Sequence, residues 1–383
     1  MVTFLHTADW QIGITRRWLQ PEAQARFDQD RLEAIRACGR IAREQQCEFV
    51  VVAGDVFESN QLLPRTVRRA LEAMDEIEVP VYLLPGNHDP LDTTSIYRQD
   101  IFVKNCPTHV HVLDATGLYP VRPGVELVAA PWTGKHPGTD PIAKAMDSIP
   151  ADSSAVRILV GHGGVDVLDP TGRNPQAIDT ASLMTAHQQG RIHYVALGDR
   201  HSRTDVSGHG VIWYSGTMEV TDSREETPGD VLVVSVEDTE LPQVGVHRTG
   251  RWHFWTRSFD LNSAQDVTDL IDSLQRITGK ERVVLKLEIR GSLAMSEYTR
   301  LVESLEAFRE TFAGLDDASA PGHLTVLPSD YDWSDLGLSG FVAEAAQEIA
   351  RTQDLDAGGD PLGESSSRDA LALLYRLSSA SRA

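Results

Sequence analysis

The segment Leu-Pro-Gly-Asn-His-Asp at residues 84–89 determines how the rest of the sequence is interpreted. It follows the apolar run 79–84, which predicts a buried β-strand that ends at a Pro-Gly turn. Open α/β sheets bind their ligands at the carboxyl ends of the strands, where Asn87 and His88 would lie. An Asn carbonyl oxygen is a hard metal ligand, and an imidazole transfers protons near neutral pH. Taken alone, the segment fits an ordinary polar turn equally well.

Four other apolar runs end in the same way, each with acidic or imidazole side chains at or just after its last residue. The residues in question are Asp9 and Gln11, Asp55, His162, and Asp199 with His201. Strands that are apolar throughout are typical of a parallel sheet covered on both faces, so we expect their carboxyl ends to converge on one edge. Five polar strand ends in one chain favour a functional site over five unrelated turns.

In their order along the chain, these segments resemble the calcineurin-like metallophosphoesterases. The matching elements are Asp9, Gly-Asp at 54–55, Gly-Asn-His-Asp at 86–89, Gly-His at 161–162 and Gly-x-x-His at 198–201. Within that family the chain is most similar to the SbcD and Mre11 branch of DNA-repair nucleases, through His-Thr-Ala-Asp-Trp at 6–10, Gly-Asp-Val-Phe at 54–57 and Tyr-Ser-Gly-Thr at 214–217. The resemblance implies an α/β fold of the metallophosphoesterase type, a double-sheet sandwich flanked by helices.

The resemblance also implies two divalent metal ions bridged by Asp55. One ion would be held by Asp9, Gln11, Asp55 and His201, and the other by Asp55, Asn87, His162 and Asp199. Such a pair supplies the attacking hydroxide and neutralises the phosphoryl oxygens. His88 is left off the metals and is the expected general acid. Glu58, three residues after Asp55, is a weaker candidate to orient His88.

Two positions depart from the family pattern. Gln11 stands where these enzymes generally carry a His, and Asp199 stands where the first His of Gly-His-x-His is expected. Both replace an imidazole nitrogen with an oxygen ligand, which favours hard ions over Zn²⁺. We therefore expect Mn²⁺, with Mg²⁺ or Fe²⁺ as alternatives, and full activity is left open.

The expected secondary structure places two crossover helices after the first two strands, from Pro21 to about residue 46 and from Pro64 to about residue 77. Residues 93–104 are predicted to be helical. From Val211 onward, three strands at 211–214, 231–236 and 243–247 are predicted to form a second, antiparallel sheet that packs on the first.

Domain boundaries are expected near residues 250 and 330. Residues 1–250 would form the nuclease domain, and the β-α-β-α-β order of 251–330 predicts a small α/β capping domain. Residues 331–383 would carry two amphipathic helices, at 341–351 and 369–377. In the resembled nucleases, C-terminal helices bind an ATPase of the SMC or Rad50 type, which we expect as a partner beside DNA; docking on their own domain, and a homodimer, stay open.

Composition limits the compartment and the mode of DNA binding. Cys38, Cys47 and Cys106 lack paired spacing, so a disulfide framework or thiolate zinc site is not expected. Without a membrane-length apolar run or signal-peptide pattern, a cytoplasmic protein is expected.

A net charge of -21 is unusual for a nuclease that binds DNA alone, so positive charge must be local or come from a partner. Arg16 and Arg17, just past the Asp9 turn, are candidate phosphate contacts.

We therefore expect a two-metal phosphodiester hydrolase, and first of all a DNA exonuclease or endonuclease that acts in repair. A phosphodiesterase or phosphatase for small nucleotides is the first alternative, because it needs only the first domain and suits the acidic charge. The second is a degenerate metal-binding scaffold subunit of an ATPase complex. Gln11 and Asp199 favour that scaffold, whereas the other ligand candidates oppose it.

Overall fold

The computed structural model describes residues 1–16, 18–135, 138–150, 154–169, 171–172, 174, 176–237, 240–316, 324–327, 344–345 and 348. The chain divides into two compact units, Met1–His253 and a second that begins at Phe254. Apart from three positions, the C-terminal helices expected at 341–351 and 369–377 lie outside the described residues. None of the helices within the described ranges is long and apolar enough to cross a membrane.

The elements of the first unit are numbered in chain order. Its strands are β1 (Val2–Thr7), β2 (Val50–Val52), β3 (Val81–Leu83), β4 (Val110–Val112), β5 (Gly117–Arg122), β6 (Val125–Ala129), β7 (Val156–His162), β8 (Tyr194–Gly198), β9 (Thr204–Asp205), β10 (Ile212–Tyr214), β11 (Asp230–Val236) and β12 (Gln243–Arg248). Its helices are α1 (Pro21–Glu44), α2 (Pro64–Asp75), α3 (Asp100–Val103), α4 (Pro141–Ser148) and α5 (Thr180–Gln188).

These strands form two six-stranded sheets. The first has the order β12-β11-β1-β2-β3-β4, and the second has the order β5-β6-β7-β8-β10-β9. Strands β1 to β4 are parallel, as are β6, β7, β8 and β10, while the outer strands of each sheet add antiparallel pairs. The expected α/β double-sheet architecture is therefore confirmed.

The expected distribution of strands between the sheets is wrong in two respects. The polar strand ends do not share one sheet, since β1, β2 and β3 belong to the first and β7 and β8 to the second. The strands after residue 211 do not form a separate sheet either: β10 pairs parallel to β8, and β11 and β12 extend the first sheet. Central strands of both sheets are buried on both faces, so their apolar sequences carry no sign of which sheet they join.

The two sheets pack face to face through large apolar side chains. Phe4 on β1 stacks on Phe49, with ring centroids 5.1 Å apart, and meets Tyr194 of β8 edge to face at 5.6 Å. Both rings come from one buried cluster with residues of both sheets. Helices α1 and α2 cover the outer face of the first sheet, and α4 and α5 cover that of the second. The layers are thus helix, sheet, sheet, helix, which fixes the strand ends rigidly.

A buried histidine joins the sheets just before their strands end. His6 is fully buried, its Nε2 donates to the Leu197 carbonyl (3.2 Å), and its Nδ1 lies 3.0 Å from the Tyr194 hydroxyl. Burial lowers the pKa of His6 to about 3. The ring is therefore neutral at neutral pH and acts as a brace between β1 and β8.

The helices differ from expectation at one place. Helices α1 and α2 begin at Pro21 and Pro64 as predicted and end about two residues early. Residues 93–104, however, form a 3₁₀ turn at Ile96–Arg98 and the short α3, separated by Gln99 in an extended conformation. The Gln99 amide donates to the Asn60 carbonyl (2.8 Å) and the Thr94 carbonyl (3.1 Å), and these bonds fix the extended backbone that interrupts the helix.

The second unit alternates strands and helices, with two strands described after its second helix where the sequence predicted one. Its elements are β13 (His253–Leu261), α6 (Ala264–Gln275), β14 (Val283–Ala294), α7 (Met295–Arg309), β15 (Gly314–Asp316) and β16 (Leu324–Leu327). Strand β14 is central, because it pairs with β13, β15 and β16. Leu270, Leu285 and Leu305 belong to a core of its own. Its role as a capping domain stays a prediction.

Candidate metal centre

The loops after β1 and β2 continue to pair beyond the strand ends, in a strained conformation. Asp9 N–H donates to the Gly54 carbonyl (3.1 Å), and Gln11 N–H donates to the Asp55 carbonyl (2.9 Å). The φ angles of Asp9, Gln11, Asp55 and Asp199 are 51°, 42°, 52° and 100°. Left-handed backbone costs a non-glycine residue about 1–3 kcal/mol and clusters at functional sites. Four expected ligands therefore occupy strained positions, which indicates selection for geometry rather than stability.

Two glycines let the strand ends approach one another. A Cβ atom at Gly86 would overlap the Asp55 carboxylate and backbone nitrogen, and one at Gly198 would overlap the Ala53 carbonyl oxygen. Because Gly198 ends β8 of the second sheet and Ala53 follows β2 of the first, this contact brings the two sheets together at the site. Any side chain at either position would push apart the groups that the site assembles.

Two carboxylates lie at the centre and titrate differently. Asp9 and Asp55 are 0% and 2% exposed. Burial raises the pKa of Asp9 to about 6, against the opposing charges of His201 and His162. Burial acts in the same direction on Asp55, but His162 and His88 outweigh it and hold its pKa below the usual value. Asp55 is therefore the carboxylate that stays ionised, as a bridging ligand must.

Lone pairs from three residues converge beside Asp55. The His162 Nδ1–H donates to the Ala53 carbonyl (2.9 Å), which leaves Nε2 as the ring nitrogen that faces Asn87 and Asp55. That Nε2 lies 2.7 Å from Asn87 Oδ1 and 3.4 Å from Asp55 Oδ2. Burial lowers the pKa of His162, but Asp55 and its neighbours raise it overall well above the ordinary value. The protonated Nε2 therefore donates to Asn87 Oδ1, and a divalent cation would take the place of this proton among the oxygen and nitrogen atoms of the three residues.

The ligand atoms of Asp9, Asp55 and His162 all lie within 4.8 Å of one another. Asp199 is more peripheral: its carboxylate is 41% exposed and its Oδ1 lies 3.9 Å from His162 Nε2. Its backbone N–H donates to both Asp9 carboxylate oxygens at 3.1 Å. The structure thus brings Asp9, Asp55 and His162 together, with Asp199 at their edge.

Gln11 and His201 meet on the Asp9 side. The His201 Nδ1–H donates to Glu225 Oε1 (2.7 Å), which directs its Nε2 toward Gln11 Nε2 at 3.0 Å. Burial lowers the pKa of His201, but its bond to Glu225 and the charge of Asp9 raise it above the ordinary value overall. In the neutral ring, Nε2 accepts from the Gln11 amide, so this hydrogen bond occupies the ring nitrogen that a metal would need. Glu225 was not identified from sequence, where it belongs to a charged stretch typical of a solvated loop.

His88 lies beside Asp55 but points differently from the ligands. Its backbone N–H donates to Asp55 Oδ1 (2.9 Å), and its Nδ1 donates to the Glu58 carbonyl oxygen (3.0 Å). Its Nε2 lies 3.9 Å from Asp55 Oδ2, and the side chain is 37% exposed. The Glu58 carboxylate lies farther off, at 3.8 Å from Nδ1, so the backbone of Glu58 rather than its side chain orients the ring.

Asp89, the acidic residue of the 84–89 segment, has a structural role. The fully buried Asp89 accepts hydrogen bonds from Phe57 N–H (2.9 Å), Gly86 N–H (2.8 Å) and the Tyr97 hydroxyl (2.6 Å). Burial, reinforced by the charge of Asp55, raises the pKa of Asp89 to about 6. Asp89 therefore ties the loops after β2 and β3 together and turns away from the metal ligands.

An open cleft of about 570 Å³ exposes this centre, and arginines lie on its rim. Arg16 lines the cleft, but its Nε and Nη2 donate to the Thr221 carbonyl at 3.1 and 2.6 Å; Arg17 lies outside the described residues. Arg200 and Arg224 line the same cleft. The same lining contains five acidic side chains, Asp55, Glu58, Asp199, Asp222 and Glu225, so the arginines are outnumbered by acids in the cleft, as bases are in the whole chain with its net charge of -21.

Converging carboxylates, an amide and imidazoles at the end of a double-sheet sandwich define a metal-dependent phosphoester hydrolase. The family model for calcineurin-like phosphoesterases matches residues 2–234. The chain belongs to this family.

Comparison with individual proteins gives more distant similarities. Over 89 residues the chain is 33% identical to the DNA double-strand break repair protein Mre11 of Archaeoglobus fulgidus, a stretch that covers 22% of this chain and 19% of that protein. A crystal structure of a Thermus thermophilus protein aligns with 65% of this chain and 99% of its own, at 11% identity and a TM-score of 0.44. A dimetal phosphatase from Danio rerio aligns over 63% and 98%, at 13% identity and a TM-score of 0.37.

Replacing Gln11 with His should tighten metal binding on the Asp9 side. The imidazole would offer a ring nitrogen where the amide now donates to His201, and loss of one ligand-shell partner typically changes affinity by about 10- to 100-fold. Isothermal titration with Mn²⁺ of Gln11→His and the unchanged protein measures both affinities. Gln29→His, on the exposed face of α1, is the matched control. If Gln11→His changes neither the Mn²⁺ affinity nor the hydrolysis rate, Gln11 is not a ligand.

Proposed function

We propose that this protein is a two-metal phosphodiester hydrolase that cleaves DNA. The observation that carries the proposal is the meeting of Asp55, the carboxylate with the lowered pKa, with both Asp9 and His162, the latter in contact with Asn87. Asp9, Gln11, Asp55 and His201 would hold one cation, and Asp55, Asn87, His162 and Asp199 the other. The oxygen-rich set favours Mn²⁺, then Mg²⁺ or Fe²⁺.

The bound cations would activate water and neutralise charge on the phosphoryl oxygens. The chain's own residues fix the geometry: the Ala53 carbonyl holds the His162 tautomer, and Glu225 holds that of His201. With its Nδ1–H bonded to the Glu58 carbonyl, His88 presents Nε2 to the cleft. A proton carried on Nε2 would pass to the leaving oxygen of the ester.

Two observations support DNA as the substrate. The relative with 33% identity over 89 residues is a DNA double-strand break repair protein, although the match spans about a fifth of its length. Arg200 on the rim of the cleft also offers a guanidinium to a phosphate of the substrate. A competing function, a metal-binding scaffold without catalysis, is favoured by the Gln11–His201 hydrogen bond.

The test is Mn²⁺-dependent cleavage of labelled single-stranded and double-stranded DNA beside bis(p-nitrophenyl) phosphate. We expect cleavage of DNA and of the small diester, both abolished by chelation. Hydrolysis of the small diester without cleavage of either DNA would indicate a phosphodiesterase for small nucleotides. No hydrolysis of any substrate with Mn²⁺, Mg²⁺ or Fe²⁺ would indicate the scaffold.

The acidic charge also supports a protein partner that supplies basic DNA-binding surface. We propose that the segment 331–383, whose sequence carries two apolar stripes, binds an ATPase of the SMC or Rad50 type. Truncation after Asp330 should leave Mn²⁺-dependent hydrolysis of the small diester within about twofold of the full chain while abolishing co-purification with the ATPase. Unfolding of the truncated chain, or loss of small-diester hydrolysis, would show that the segment belongs to the fold instead.

A further inference from the structure

Arg200 lies between two cavities of the first unit. It follows Asp199 and precedes His201, and both Asp199 and Arg200 line the metal cleft of about 570 Å³. The same two residues line a neighbouring cavity of about 330 Å³, whose other walls include Leu168 and Tyr214. A substrate that extends from the metal cleft into the neighbouring cavity therefore passes Arg200.

The described rim arginines differ in what their guanidinium groups bind. Arg16 donates two N–H groups to the Thr221 carbonyl, and Arg224, with its side chain 88% exposed, pairs with Asp222 at 2.8 Å. Arg200 is half-buried, and its Nε donates to Thr204 Oγ1 at 2.9 Å. Across the part of the chain that the structure describes, its two terminal nitrogens have no hydrogen-bond or ion-pair partner. Thr204 thus orients the Arg200 side chain, and the N–H groups of its two terminal nitrogens remain available to a ligand.

The Thr204 hydroxyl that orients Arg200 is itself held in place. It donates to the Ser202 carbonyl at 2.9 Å, so its lone pair faces the Arg200 Nε–H. A guanidinium fixed at Nε keeps a free edge that matches two oxygens of a phosphate, a geometry that a lysine does not offer. The pre-set orientation lowers the entropy cost of that contact.

The neighbouring cavity is walled by ordered and partly apolar groups. The buried Tyr214 hydroxyl donates to the Gly163 carbonyl (2.6 Å), and Asp169 accepts from the N–H groups of Thr171 (2.8 Å) and Asn174 (3.0 Å). Leu168 is 43% exposed at its edge, beside Val167, which is 61% exposed and not part of the lining. These walls suit a nucleoside whose base packs on apolar surface.

We propose that Arg200 binds a second phosphate of the substrate, next to the one that is hydrolysed, and that the neighbouring cavity receives the nucleoside between them. The inference rests on the proposed hydrolase function and defines its substrate class as a chain of at least two phosphates. Arg200 is then a specificity-determining residue, which separates a polynucleotide from an ester with a single phosphate.

The test compares two substrates that differ in the second phosphate. Bis(p-nitrophenyl) phosphate has one phosphate, and a 5′-phosphorylated dinucleotide has two. Because a hydrogen bond to a charged group contributes about 1.5–3 kcal/mol, Arg200→Ala should lower kcat/KM for the dinucleotide by about 10- to 100-fold. Its effect on the single-phosphate ester should stay within about twofold, with Mn²⁺ affinity unchanged by titration calorimetry. Thr204→Val should give a smaller loss of the same selectivity.

Arg224→Ala is the matched control, since Arg224 lines the same cleft but is paired with Asp222. It should change both substrates equally and by at most about twofold. Equal loss on both substrates in Arg200→Ala, or none on either, would overturn the inference while leaving the hydrolase function standing. If the unchanged protein hydrolyses neither substrate, the proposed function fails. The inference is then tested by fluorescence anisotropy, which measures binding of the labelled dinucleotide. It requires that Arg200→Ala bind the dinucleotide more weakly than Arg224→Ala does.

The neighbouring cavity has its own test. Leu168→Asp places a carboxylate in the lining of the cavity and should weaken binding of the dinucleotide about tenfold. Val167→Asp, one residue away and outside the lining, should leave this binding unchanged. Equal effects of the two variants would show that the nucleoside does not enter this cavity.

Discussion

Replacing Asp55 with Asn should reduce hydrolysis by about three orders of magnitude or more, equivalent to about 4 kcal/mol of transition-state stabilisation. Asp55 is 2% exposed, and its Oδ2 lies 3.4 Å from His162 Nε2. Asn keeps the shape and removes the charge that two cations would share. Mn²⁺ titration should show fewer bound ions in the variant, and steady-state kinetics on the small diester should show the rate loss.

Asp222→Asn is the control for Asp55→Asn. Asp222 lines the same cleft but pairs with Arg224 at 2.8 Å and does not join the converging ligands. The same chemical change there should alter activity by no more than about twofold. Retention of more than about a tenth of the activity in folded Asp55→Asn would contradict a bridging role.

His88→Ala should leave Mn²⁺ binding intact and lower turnover of DNA by about 10²- to 10⁴-fold, the usual contribution of general acid catalysis. The reason is that His88 lines the cleft, donates through Nδ1 to the Glu58 carbonyl, and keeps its Nε2 3.9 Å from Asp55 Oδ2. The loss should depend on the leaving group. A p-nitrophenolate departs without a proton, so the small diester should lose far less activity than DNA.

His111→Ala, on an exposed position of β4, controls for removal of an imidazole. It should change neither substrate. If His88→Ala slows both substrates equally, or releases metal, His88 is a ligand and not the proton donor.

Sequence analysis identified the strand-end residues because the chemistry of the site requires unusual side chains at fixed places after apolar strands. Asp9, Asp55, Asn87 and His162 are examples, and the structure brings all four together. It did not assign the strands to their sheets, since a strand buried on both faces carries the same apolar pattern in either sheet.

The supporting residues were missed for a different reason. Glu225 lies in a charged stretch and Arg200 follows a predicted ligand, and neither differs in sequence from a solvated surface residue. Their roles depend on contacts that only the folded loops create: Glu225 with His201, 24 residues apart, and Arg200 with Thr204, 4 residues apart. Likewise, nothing in the sequence shows that the Gln11 amide donates to His201.

The most direct test of the metal centre is anomalous diffraction from crystals soaked in Mn²⁺. The expected result is two peaks about 3.5–4 Å apart, with the Asp55 carboxylate between them. One peak should lie beside Asn87 and His162, and the other beside Asp9 and His201. A single peak, or two peaks that Asp55 does not contact, would contradict the two-metal account.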